Sequence, residues 1–142
     1  MRYIANKFGP PEFSGKDAHD KAKVDMVLDT VFEIRMNPMI HFYITGDREA
    51  IKAFGYEKLP ALDAFYEKRQ FTAGDYVTFV DFFVWEQLEL YEFATEGNMF
   101  DRFPNLLAFH KRVAELPRFS EYVKSDRFMV TPFNSKIAKV NN

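Results

Sequence analysis

Cysteine is absent from this chain of 142 residues, which excludes disulfides, thiolate nucleophiles and Cys-ligated metals. No excess of one charge exists either: the net charge is −2 and the pI about 5.9. Basic residues are scattered singly beside acids, so no patch is available to gather nucleic acid or anionic membrane. No apolar run approaches the roughly 20 residues that a spanning helix needs, and no membrane insertion is expected. Residues 1–7 lack the apolar core of a signal peptide. Gly-rich phosphate loops and nucleophile motifs are missing. His19, His41 and His110 are dispersed without metal-ligand spacing. Together these absences suit an intracellular, reducing compartment, with the cytoplasm as the first expectation.

What the chain has in quantity is aromatic surface: seventeen Phe, seven Tyr and one Trp. Strand-favouring Val/Thr alternation is scarce, so the composition predicts helices packed through bulky rings. The stretch 74–85 organises the rest. Thr78 and Asp81 have capping-box spacing, and Val77 and Phe82 can close as a hydrophobic staple across the same turn. From Phe79 to Trp85 the following segment is apolar almost all round, which predicts a central helix running to about Phe93.

Residues 1–8 read as the last turns of a helix, stopped by Gly9, Pro10 and Pro11. Ser14, with Asp17 three residues on, is expected to open the first long helix. Val24, Val27, Leu28 and Val31 form its core stripe, and Phe32, Met36, Met39 and Tyr43 an adjoining one. Pro38 is expected to kink or split that run. A shorter helix follows from about Arg48, with Ile51, Phe54, Leu59, Leu62 and Phe65 buried and with Gly55 and Pro60 interrupting it. Pro104 suits the first position of another helix, with Leu107, His110, Val113 and Leu116 along one face and Pro117 as its end. His110 is read there as a hydrogen-bonded core histidine. A short helix carries Phe119, Tyr122 and Val123, and residues 128–142 form a tail folded over the bundle. Glu86, Glu89, Glu92 and Glu96, at helical spacing, are read as an outer face. The expected fold class is an all-α helical bundle, one domain over residues 1–142.

The run Ala73-Gly74-Asp75-x-Val77-Thr78-Phe79-Val80-Asp81-Phe82 resembles the capping module of cytosolic glutathione S-transferases. Phe103-Pro104-Asn105-Leu106, Tyr122-x-Lys124-Ser125-x-Arg127-Phe128, Met1-Arg2-Tyr3 and Thr131-Pro132-x-x-Ser135-Lys136 resemble the mu class in particular. The similarity runs nearly end to end but covers only the C-terminal, all-helical domain. In that family a thioredoxin-like domain comes first and supplies most of the glutathione site, including the Tyr that activates the thiol. By this resemblance, residues 1–8 are the remnant of that domain's last helix.

The resemblance also implies roles. Tyr43 falls where mu-class enzymes carry a Tyr that donates a hydrogen bond to the electrophilic substrate; the residues alone favour an aromatic on a core stripe with its hydroxyl at the edge. Phe32, Met36 and Met39 match the substrate-pocket wall and Ser135 its rim, while Asn134 replaces a usual aromatic and Val140 a usual Trp. Glu33 stands where an Asp reaches glutathione's amino group across the dimer interface. Arg2 and Asp25 match residues near the dimer two-fold axis, and Leu28 and Asn6 replace charged interface residues. The expected function is a non-catalytic protein-interaction or structural subunit of a larger assembly, with a homodimer open. No cofactor is expected unless a thioredoxin-like domain brings a glutathione site. The alternatives are a fragment or split half of an active mu-class enzyme using Tyr43, Glu33 and Ser135, or a carrier of apolar ligands beside Phe32 and Met39.

Overall fold

Six α-helices build the residues 1–141 that the computed structural model describes: α1 (Arg2–Phe8), α2 (Ala18–Met36), α3 (Arg48–Tyr66), α4 (Phe79–Ala94), α5 (Pro104–Ala114) and α6 (Pro117–Val123). A 3-10 turn, Pro11–Ser14, links α1 to α2, and a π-helical turn, His41–Thr45, leads into α3. Among these residues no strand forms; Phe71 and Gly74 make one isolated bridge.

The fold is arranged around α4, which packs against α2, α3 and α5. Val80, Val84, Leu88, Leu90 and Tyr91 on α4 are almost fully enclosed, as its all-round apolar sequence predicts. Thr78 is its extended N-cap and forms the capping box with Asp81. One oxygen of the Asp81 carboxylate accepts from the Thr78 N–H at 2.7 Å and its hydroxyl at 2.9 Å. The other accepts from the N–H and hydroxyl of Thr72, at 2.8 and 2.7 Å. Burial pushes the Asp81 carboxyl up, against the pull of these four donors. Thr72 also meets the Tyr66 hydroxyl at 2.8 Å, so the cap ties the end of α3 to the start of α4. Val77 and Phe82 both lie half-buried on the core; the Phe82 ring meets Phe13 and Phe119 edge-on.

Three local expectations are corrected. The first long helix starts at Asp17, which accepts from the Asp20 N–H at 2.9 Å, and not at Ser14. Gly15, at φ +105°, breaks the chain direction between the two. Gly55 and Pro60 do not interrupt α3, which runs unbroken for 19 residues, as long as α2. Gly55 is there for a packing reason: a Cβ would come within 2.7 and 2.8 Å of the Tyr91 ring. On α5 the enclosed residues are Leu106, Phe109 and Val113; Leu107, His110 and Leu116 are only half-buried. Pro38 splits its run as expected, with its carbonyl accepting from the N–H groups of both His41 and Phe42.

Candidate functional site

The split at Pro38 generates the site. The chain resumes as a π-helical turn closed by Gly46 in the left-handed region, its N–H donating to the His41 carbonyl at 2.9 Å. This wide turn leaves the Phe42 carbonyl available, and the tail takes it. Lys139 and Val140 both donate to it, at 2.9 and 3.0 Å. π-turns of this kind recur at functional positions.

Tyr43 and Ser135, separated by 92 residues, meet here: the Ser135 N–H donates to the Tyr43 hydroxyl at 3.4 Å. Tyr43 and Met39 pack half-buried against the core. Phe32 and Met36 do not join them in the core; both point to solvent. Phe32 instead lines a groove of about 560 Å3 with Leu28, Phe83, Met1, Tyr3 and the charged Arg2, Asp29 and Arg35. Glu33 is exposed, 4.0 Å from the Lys58 ammonium and within reach of the Asn37 amide.

Arg2 and Asp25 pair within one chain: two guanidinium nitrogens reach the same carboxylate oxygen at 2.9 and 2.8 Å. Both side chains are more than half exposed, so the pair contributes about 0–1 kcal/mol. It links the start of α1 to α2.

The tail is fastened by residues that sequence reasoning did not single out for this. The Asn141 side chain accepts from the Asn134 N–H at 2.9 Å and donates to the Ser135 carbonyl at 3.0 Å, while the Asn134 amide donates to the Val140 carbonyl. Both asparagines and Val140 are buried. The positions that replace a usual aromatic and a usual Trp thus close a polar clasp around residues 134–141. Two Asn in a tail carry no periodicity by which to find them.

Farther along α4, Trp85 stacks on His110 with rings 5.2 Å apart and nearly parallel, while Phe119 and Phe128 approach it edge-on. His110 bonds Glu89 through Nε2. The four acids of this face separate into different jobs. Glu86 pairs with Arg35, Glu92 accepts from the N–H groups of Met99 and Phe100, and Glu96 takes a positive φ. Among the described residues no three His, Asp or Glu side chains are grouped to hold a metal ion, and no helix is long and apolar enough to cross a membrane.

Residues 37–126 match the sequence model of a family described as "Glutathione S-transferase, C-terminal domain". The chain belongs to that family. Relatives include glutathione S-transferase Mu 3 of Macaca fuscata fuscata, 32% identical over 100% of this chain and 63% of that protein. Glutathione S-transferase Mu 1 of Rattus norvegicus is 34% identical over 65% of its own length. The chain therefore spans just under two thirds of the curated relatives it matches. Among solved structures, the Onchocerca volvulus pi-class glutathione S-transferase superposes with a TM-score of 0.83 at 19% identity, covering 96% of this chain and 67% of that one. The glutathione S-transferase Blo t 8 gives 0.87 at 23% identity, over 99% and 67%. At these identities the structural likeness is one of fold. The all-helical C-terminal domain with mu-class relatives is thus established for this chain.

Proposed function

We propose that this glutathione S-transferase C-terminal domain works through protein contacts, as a non-catalytic interaction or structural subunit of a larger assembly. Pairing of two copies is one form of that role. One observation carries the reading. Phe32, Met36, Ile40 and Ile44 follow one another at four-residue steps from α2 into the π-turn, with exposures of 54%, 47%, 53% and 63%. Single exposed apolar residues are ordinary, but four within residues 32–44 mark a surface that gains by being covered. Tyr3, Ile4 and Phe8 extend the exposed apolar surface onto α1. The setting is an intracellular, reducing compartment, the cytoplasm first, and the role needs no cofactor; glutathione would enter only with a thioredoxin-like domain.

The test is a double Phe32→Ser, Ile44→Ser variant. It should keep its helicity and thermal midpoint while losing its native partner or its self-association. Retention on immobilised glutathione, with turnover of a general electrophile by this domain by itself, would overturn the reading.

The meeting of Tyr43 with Ser135 favours a second reading, one part of a mu-type enzyme that conjugates glutathione to electrophiles. Tyr43 would then be the hydrogen-bond donor to substrate, Glu33 a glutathione contact and Ser135 the pocket rim. Restored turnover when a thioredoxin-like domain is supplied, lost in Tyr43→Phe, would decide for it.

A further inference from the structure

We propose that the tail carries a self-complementary docking surface through which two copies of this chain pair, the turn around Ile137 of one entering a groove beside α4 of the other. The groove holds about 510 Å3 between the C-terminal half of α4 and residues 130–133. Phe93 and Phe133, with ring centres 4.8 Å apart, and Val130 give it apolar walls. Glu89, Glu92 and Glu96 line it too, and Arg48 is the one cation among its lining residues. That guanidinium lies over the Phe93 ring at 4.8 Å and donates to the Phe93 carbonyl at 3.1 Å. Glu89 is bonded to His110 and Glu92 to two backbone N–H groups, whereas the Glu96 carboxylate has no partner among the described residues. The groove thus joins aromatic surface to an excess of negative charge.

Its complement stands a few residues farther along the same chain. Ile137 is the most exposed large apolar side chain among the described residues, at 81%. Lys136 and Lys139 flank it, and neither ammonium has an ion pair or hydrogen bond among those residues. A turn presents this knob: the Ala138 N–H donates to the Ser135 carbonyl at 2.9 Å, and the asparagine clasp closes the same segment at its base. A knob already fixed gives up little conformational freedom on docking. Knob and groove are also neighbours. A Cβ on Gly46 would lie 3.4 Å from the Lys139 side chain, and Arg48, two residues on, lines the groove. A two-fold axis between them puts each knob into the other copy's groove, the closed, reciprocal form of an isologous pair. Ile137 then covers ring surface while the lysine stems run along it and carry their ammonium groups to the glutamates. That one chain presents both halves of the contact is what names the partner. The contact uses none of Phe32, Met36, Ile40 and Ile44, so it stands or falls apart from the proposed function.

Sedimentation of the whole chain over a range of concentrations, at low and at high salt, tests the proposal. Phe32→Ser serves as the background, so that pairing through α2 does not enter. A concentration-dependent dimer that weakens with salt is expected. Ile137→Ser, checked for unchanged helicity, should raise its dissociation constant roughly a hundredfold, because each dimer loses two buried side chains. The doubly reversed Lys136→Glu, Lys139→Glu variant and the Glu96→Lys variant should each pair poorly alone. An equimolar mixture of the two should recover the dimer, since only the mixed pair sets lysine against glutamate at both contacts. A monomer at every concentration, a dimer untouched by Ile137→Ser, or a mixture that fails to recover overturns the surface.

Discussion

Gln87 sits in the middle of α4 at 2% exposure, and neither its amide nitrogen nor its amide oxygen finds a partner among the described residues. An unmatched buried amide costs about 1–3 kcal/mol, and Met offers a similar shape without that demand. Gln87→Met should therefore raise the urea midpoint by an amount equivalent to about 1–2 kcal/mol. An unchanged or lower midpoint would place a bridging water on the amide. Gly55 works in the opposite sense. Ala at a helical position gains about 0.5–1 kcal/mol over Gly, but overpacking a core costs about 1–3 kcal/mol. The Tyr91 ring that a methyl would strike is tethered by its hydroxyl to the Ile34 carbonyl at 2.8 Å. Gly55→Ala is thus expected to lower the thermal midpoint; a rise would mean that the ring swings aside freely.

Among the elements, the start of α4 was the most legible. Thr78 and Asp81 declare the cap within four residues, because the bonds involved are local. Thr72 escaped notice because its hold on Asp81 spans nine residues through a turn that has no repeat. The start of α2 misled for a related reason. Ser14 and Asp17 have the spacing of a capping box, yet Asp17 and Asp20 make the actual cap once Gly15 has turned the chain. On α5, Leu107/His110 and Leu106/Phe109 both keep helical spacing, and only packing against α3 and α4 chooses between them. Of the candidate site, the sequence indicated Tyr43 and Ser135 through resemblance; what it could not indicate was the asparagine clasp that brings the tail to them. Asn141→Ala removes the acceptor for the Asn134 N–H and the donor to the Ser135 carbonyl. Tryptic cleavage at Lys136 and Lys139 should accelerate severalfold, with helicity retained. Equal cleavage rates would show that Val140 and the Phe42 carbonyl hold the tail without the clasp.

At the scale of the whole molecule, tyrosines join its parts. Tyr66 bonds Thr72 beside the cap, Tyr91 bonds α2, and Tyr76 donates to Asp20 at 2.6 Å while accepting from the Lys16 N–H. Burial raises all three hydroxyls: Tyr76 to about 12, with Asp20 adding to the rise, and Tyr66 and Tyr91 well above the ordinary phenol value. The folded state therefore keeps protons that the unfolded chain gives up. Their contribution to stability is complete below the unfolded phenol value near 10; that of Tyr76 is lost as pH climbs through about 12, and those of Tyr66 and Tyr91 start to fall over the same rise and go on falling beyond it. Urea midpoints should fall over that window, and Tyr76→Phe should make the fall shallower. A slope identical to the parent's would remove Tyr76 from the account.

The surroundings of Trp85 have an optical consequence. It is the only indole in the chain, its N–H meets no acceptor among the described residues, and the first residue of the tail, Phe128, leans on its edge. An indole enclosed by rings emits towards the blue, so the bundle carries an unlabelled gauge of whether its tail is seated. Any partner or substitution that lifts the tail should redden that emission before the helices themselves give way.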